Sequence, residues 1–114
     1  MTRDVSEWNI EYRGCVERQP DCSCGIFEVA MSGGEPQHVE VLTPVQIERM
    51  LAREMGKEAL SEEERSLILA AAGTNLIRES IEQDGRVRPL LYLTGQIFRS
   101  RGAERRLLEQ CGLL

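Results

Sequence analysis

The chain has 114 residues, of which 41% are hydrophobic and 29% charged, and its formal net charge is −5. This length suits a single domain, and this composition excludes long disordered stretches. The net acidity argues against a general nucleic-acid-binding protein, and no apolar run approaches the ~20 residues that a membrane span requires.

The first third of the chain alternates between apolar and polar residues, a pattern typical of half-buried strands. In residues 7–17, the side chains of Trp8, Ile10, Tyr12 and Val16 share one face, whereas Cys15 belongs to the polar face. Turn residues at 19–21 and 32–36 separate this run from two further runs, residues 24–31 and 38–42. The pattern predicts a three-stranded antiparallel meander over about residues 6–42, with one face exposed to water.

From Thr43 onward the apolar period becomes helical. Thr43 is the predicted N-cap of a first helix that has Pro44 at its first position and ends near Gly56. Ser61 and Glu64 match a capping box at the start of a second helix. The first two helices thus have clear sequence signals at their amino ends.

The remaining helices follow from the same period. The second helix should run to Gly85, with a candidate break at residues 73–75, and a third should start near Pro89 and end before Gly102. A fourth, short helix is predicted over residues 103–110. The predicted fold is therefore one α+β domain, residues 1–114, with the meander packed on a helical half of about residues 44–111.

Three cysteines, Cys15, Cys22 and Cys24, fall within ten residues of the predicted hairpin. The alternation places Cys15 and Cys24 on the water-exposed face, as direct or diagonal neighbours roughly 5–8 Å apart. His38 belongs to the same face. However, the second loop pairs His38 with a residue near Ala30, which puts it on the order of 20 Å from Cys24.

Three interpretations of these cysteines stay open: incidental thiols, a metal site, and a redox-active pair. Zinc is the metal they would hold, with Cys111 or a second chain as the missing ligand, although structural zinc sites normally use two separated ligand pairs. Asp21 beside Cys22 works against a reactive thiolate. The chain starts without a secretory signal pattern, so we expect a cytoplasmic protein with reduced thiols.

Positive charge is concentrated near the carboxyl end, where residues 86–114 carry a net charge of +4 against −9 for residues 1–85. Seven leucines lie in the same segment, more apolar surface than three strands can cover, and association would bury the surplus. RNA binding would call for more aromatic stacking platforms. The candidate partner-binding residues are Arg86, Arg88, Tyr92, Arg99, Arg101, Arg105 and Arg106.

No motif in the sequence identifies a family, and a single histidine gives a hydrolase triad no support. We therefore expect a small non-enzymatic interaction protein, namely a subunit, adaptor or regulator. It would bind a protein partner, or a second copy of itself as a homo-oligomer, through an Arg- and Leu-rich helical surface. The alternative is a metal-binding or redox-responsive thiol protein. An enzyme with a site at an oligomer interface could draw only on Tyr92, Arg88 and His38.

Overall fold

A four-stranded sheet with helices packed against one face forms the fold, which confirms the α+β class. The computed structural model describes residues 7–17 and 22–114, apart from the side chains of Gln96 and Ile97. The first three strands form the expected antiparallel meander, and the fourth lies parallel to the third. In chain order the elements are β1 (Trp8–Glu17), β2 (Cys22–Met31), β3 (Gln37–Pro44), α1 (Val45–Glu54), α2 (Glu62–Asp84), β4 (Leu90–Tyr92), a 3₁₀ helix (Gly95–Phe98) and α3 (Ala103–Gln110).

The predicted third helix, from Pro89 to before Gly102, is wrong. Its first residues form β4, which extends the meander to four strands, and the only helical part is the short 3₁₀ helix. The carbonyl of Pro89 accepts a 2.9 Å hydrogen bond from the amide of Glu40, and the amide of Leu93 donates a 2.8 Å bond to Leu42. The backbone groups of this segment therefore form hydrogen bonds with the edge of β3, whereas in a helix they would bond to one another.

The predicted cap at Thr43 is also wrong, because β3 continues to Pro44, which is the N-cap of α1. Thr43 pairs with Ser23 of β2 instead. Its hydroxyl is buried and has no hydrogen-bond partner among the described residues. The expected end of α1 is close to correct, since Met55 is the C-cap and Gly56 follows with a positive φ.

The long helix α2 begins and ends where the sequence predicts. Ser61 and Glu64 form the capping box, with hydrogen bonds of 3.1 and 2.8 Å in the two directions, and Gly85 ends the helix in the left-handed conformation. The candidate break at residues 73–75 is not one, because the helix continues through it. Among the described residues, no helix has both the length and the apolar character to cross a bilayer.

A β-bulge in β1 changes the direction in which its last residues point. The pairing with β2 shifts between Tyr12 and Gly14, and Gly14 has a φ of 135°. Beyond the bulge, Cys15 pairs with Gly25 and Val16 pairs with Cys24. Opposed residues in an antiparallel pair point to the same face, so the predicted alternation holds before the bulge and reverses after it.

Two clusters of buried side chains hold the sheet and helices together. One lies between the inner face of the sheet and the second half of α2, where the ring of Phe27 also meets the ring of Tyr12 with centroids 5.2 Å apart. The other joins the three helices and includes Leu93, Leu107 and Leu108. All helices thus cover one face of the sheet, which we call the inner face, and the opposite one is the outer face.

Candidate functional site

Cys15 and Cys24 lie on opposite faces of the sheet, so the predicted shared face is wrong. Cys15 follows the bulge and lines a depression with Arg65 and Ser66 of α2, on the inner face. Cys24 lies on the outer face, where its thiol is 3.2 Å from the carboxylate of Glu40. The one extra residue at the bulge separates them, because it reverses the alternation after Gly14.

The depression at Cys15 contains a charge pair that the sequence gave little reason to expect. Glu48 is only 8% exposed; it accepts a hydrogen bond from the Nε of Arg65 and a 3.2 Å bond from the hydroxyl of Ser23. One feature of the sequence could have predicted a buried charge here. Glu48 lies on the same face of α1 as Leu51, so its carboxylate interrupts the apolar stripe of the helix. Arg65 neutralises Glu48, whereas the carboxylates of Glu17 and Glu62 also line the depression.

On the outer face, the carboxylate of Glu40 contacts both Cys24 and His38, which the sequence pattern placed far from each other. Glu40 accepts a hydrogen bond from the thiol of Cys24 at 3.2 Å and contacts the Nε2 of His38 at 3.0 Å. His38 pairs with Glu28 rather than with a residue near Ala30. It is therefore four residues from the register position of Cys24, about 13 Å at the usual strand rise, and not the predicted ~20 Å.

The other two cysteines do not complete a cluster. Cys22 starts β2, whereas Cys111 follows α3, and its thiol contacts the carbonyl of Leu67 in α2 at 3.6 Å. All four cysteines are free thiols. Within residues 7–17 and 22–114, no three side chains among His, Cys, Asp and Glu lie close enough to hold one metal ion.

Burial decides the reactivity of three of these thiols. It raises the pKa of Cys15, of Cys22 and of Cys111 above the ordinary value, and the positive charge of Arg65 offsets this only in part at Cys15. A raised pKa leaves little thiolate at neutral pH, and the thiolate is the species that attacks disulfides and binds metals. These cysteines therefore lack the electrostatic setting of redox or nucleophilic thiols.

The six arginines of the carboxyl segment are all exposed, but they do not form one patch. Two lie in the connection between α2 and β4, two in the connection before α3, and two on α3. Only Arg105 has carboxylates of the described chain within 4.0 Å, at Glu54 and Glu109. Among the described residues, one of the six arginines thus forms ion pairs within the chain.

Of the seven leucines in this segment, three are buried within the chain and two are half-buried. Leu93, Leu107 and Leu108 belong to the helical core, and only Leu90 and Leu114 are largely exposed. The fold itself therefore covers most of the apolar surplus that the sequence assigned to association. What remains on the helical side is a groove rather than a leucine-rich surface.

This groove runs between α2 and α3 and has a volume of about 430 Å³. Its floor is apolar, and the side chain of Asn75 crosses it to Gln110 with a 3.2 Å hydrogen bond. The lining residues are Ala72, Asn75, Leu76, Glu79, Phe98, Ala103, Arg106, Leu107 and Gln110.

A second depression of about 240 Å³ continues the groove along α2 towards β4. The two share Leu76 and Glu79, and the second ends at Arg88 and Asp84. Together they follow α2 from residue 72 to residue 84, about 18 Å at the helical rise. We call this continuous feature the α2 groove; it brings Arg88 and Arg106 to one surface and leaves Arg105 outside its lining.

Comparison of the chain with models of protein families, with curated proteins and with solved structures found no match. The functional argument therefore rests on the geometry of the described residues.

Proposed function

We propose that this protein is a non-enzymatic interaction module that binds a helical segment of a protein partner in the α2 groove. The observation that carries the proposal is the groove itself, a channel about 18 Å long that is lined by both apolar and polar side chains, with the exposed Arg106 and Arg88 among them. Apolar grooves on helical surfaces are a recurring way to bind the apolar face of an amphipathic helix.

The charges along the groove specify the chemistry of the partner. Arg88 lines the end of the groove beside β4 and Arg106 lines its α3 side, and neither has a carboxylate of the described chain within 4.0 Å. Glu79 lines the stretch that both depressions share. A complementary segment would present carboxylates to the two arginines and a basic residue to Glu79, which fixes register more than affinity.

The dimensions favour a helix of about twelve residues, because twelve residues span about 18 Å at the helical rise. Such a helix would place two or three apolar side chains against Leu76, Phe98 and Leu107. Between α2 and α3, an extended strand would find no open backbone edge, since both walls of this part of the groove are helices. The metal-binding or redox-responsive alternative has weaker support, because its cysteines lie apart and three have raised pKa values.

The test is site-specific photo-crosslinking in extracts of the source cells. A photoreactive residue replaces Gln110 in the groove, and a matched control carries it at Glu63, at the other end of α2. We expect a partner crosslinked only from position 110, with the crosslink on an amphipathic helical segment. Equal capture from both positions, or a crosslink to a segment without an apolar face, would refute the proposal.

Charge reversal then tests the register. Arg88→Glu together with Arg106→Glu should weaken binding of the captured partner roughly 5- to 30-fold, at 0.5–1 kcal/mol for each screened charge. Arg78→Glu is the control, because Arg78 is exposed on α2 but does not line the groove. An equal loss in the control would mean that net charge, and not the groove, governs binding.

A further inference from the structure

An apolar strip crosses the outer face of the sheet, away from every helix. One row of paired residues runs through all four strands as Val16, Cys24, Leu42 and Tyr92. The two edge residues are the exposed ones, Val16 at 44% and Tyr92 at 55%, whereas Leu42 is half-buried and Cys24 is fully buried. Large exposed apolar side chains that are contiguous mark an interaction surface, whereas single ones need no explanation.

The neighbouring row widens this strip. It pairs Gly14, Ile26, Glu40 and Leu90 in the same order across the sheet, and Leu90 is 42% exposed. Glu40 is the one charged side chain within the two rows. Its carboxylate already contacts the Cys24 thiol and His38, so it does not need water to satisfy it.

We propose that the outer face binds a second copy of the chain, so that two sheets pack face to face in a symmetric dimer. This surface is distinct from the α2 groove, and the proposal stands or falls independently of the partner proposed there. A second copy fits because the face is complementary to itself, in shape and in charge, about one two-fold axis.

That axis runs parallel to the strands, between β2 and β3. The strand order then places β1 opposite β4 of the second copy and β2 opposite β3. Exposed Val16 meets exposed Tyr92, and Gly14, which has no side chain, meets exposed Leu90. Aligned sheets pack about 10 Å apart with interdigitated side chains, so large residues opposite small ones suit this arrangement.

The same two-fold axis also pairs the charged and polar residues of the outer face favourably. Glu28 of β2 and His38 of β3 form one row, and the axis between these strands brings Glu28 of each copy opposite His38 of the other. Arg13 is already neutralised by Glu28 at 2.7 Å and Glu11 at 3.3 Å. Like charges therefore do not oppose one another, although each chain carries a net charge of −5.

The area is sufficient for a dimer of modest affinity. The first three strands are about 26–33 Å long and β4 is about 10 Å long; at a spacing of about 4.8 Å they offer roughly 490 Å² in projection. Stable complexes bury about 800 Å² on each partner, and weak ones bury less. We expect a dissociation constant of the order of 10 µM.

Sedimentation velocity from about 1 µM to about 500 µM tests the self-association. The wild type should shift from monomer to dimer over this range. Tyr92→Glu should raise the dissociation constant at least about 10-fold, because it removes an aromatic contact and places a carboxylate against the apolar Val16 of the second copy. Leu67→Glu is the matched control, because Leu67 is 42% exposed on α2, away from the outer face.

Three outcomes would overturn the proposal. One is a chain that stays monomeric at every concentration, and a second is an equal effect of Leu67→Glu. The third is that the chain is monomeric and Tyr92→Glu abolishes its binding to a different protein. The outer face would then be the binding site of that protein. Thermal unfolding of each variant must show that it retains the fold.

Disulfide trapping tests the symmetry itself. Val16→Cys and Tyr92→Cys are combined in one chain that also carries Cys24→Ala, because Cys24 is the direct cross-strand partner of position 16 and would otherwise form a disulfide with it. Within that chain positions 16 and 92 are three strands apart, about 14 Å, too far for a disulfide. Oxidation should give a covalent dimer linked from position 16 to position 92 of the second copy, and neither single variant should crosslink comparably. Links from 16 to 16 or from 92 to 92, or no link at concentrations where the protein is dimeric, would refute this axis.

Discussion

Gly73 of α2 packs directly against the ring of Phe27 in β2, and this contact brings the long helix down onto the sheet. A Cβ at position 73 would collide with two ring atoms and would lie 3.4 Å from Val41. Ala is intrinsically better than Gly in a helix by about 1 kcal/mol, but overpacking a rigid core costs about 1–3 kcal/mol. We expect Gly73→Ala to lower the free energy of unfolding by up to about 2 kcal/mol, measured by urea denaturation.

The control for this contact is a double-mutant cycle with Phe27→Leu. If the ring causes the collision, Gly73→Ala should cost much less in the Phe27→Leu background than in the wild type. Strict additivity of the two substitutions would show that the crowding at position 73 has another source.

The pair formed by Arg65 and Glu48 should contribute more to stability than any ion pair on the surface. The Glu48 side chain is 11% exposed and that of Arg65 24% exposed, so removing the guanidinium leaves a nearly buried carboxylate with Ser23 as its remaining hydrogen-bond partner. Arg65→Met should destabilise the protein by about 2–3 kcal/mol, below the cost for a fully buried pair.

Lys57 provides the comparison, because its ammonium contacts both carboxylate oxygens of Glu64 within 2.7 Å while remaining 42% exposed. Lys57→Met should cost less than about 1 kcal/mol. Denaturant unfolding of both variants measures the two values, and equal losses would contradict the distinction between buried and exposed pairs.

Gly14 holds the bulge of β1 in a conformation that other residues rarely adopt. Its φ is 135°, and nothing lies within 4 Å of the position that a Cβ would take. The effect of Gly14→Ala is therefore backbone strain without crowding, and we expect a loss of about 1–3 kcal/mol. Gly95→Ala is the control, since position 95 is also open and its φ is not in the positive region; a similar loss there would mean that strain at the bulge is not the cause.

This bulge also shows why the sequence misplaced Cys15. A period-two pattern assigns faces correctly only while each residue advances the strand by one position, as it does from Trp8 to Tyr12. The extra residue before Gly14 carries no signal in hydrophobicity, because Val16 remains apolar although it ends exposed. A glycine within a strand was the one available hint of a bulge.

The misassigned helix after Pro89 has a different cause. Leu90, Leu91 and Leu93 satisfy either a helix or a short strand, and the choice depends on the free edge of β3, about fifty residues earlier in the chain. Capping signals, by contrast, act within a few residues. For that reason the capping box at Ser61 and the end of α2 at Gly85 were predictable, whereas β4 and the α2 groove depend on tertiary contacts.

The thiol groups should make the protein less stable in alkali. Burial raises the pKa of Cys15, Cys22 and Cys111 above the value of about 9 that they have in the unfolded chain. Below pH 9 both states hold these protons and stability is unaffected. As pH rises through 9 towards the folded pKa values, the unfolded state loses its protons first and becomes favoured, so the free energy of unfolding should fall. Tyr12, whose pKa burial also raises, should add to this loss at higher pH.

Thiol alkylation separates this effect from general alkaline denaturation. At pH 8, iodoacetamide should modify the native thiols more slowly than those of the urea-unfolded chain, because little thiolate is present. Replacing Cys15, Cys22 and Cys111 by Ser should flatten the decline of stability between pH 9 and 10, as measured by urea denaturation. An unchanged decline in that variant, or alkylation as fast in the native state as in urea, would show that burial does not hold these thiols in their protonated form.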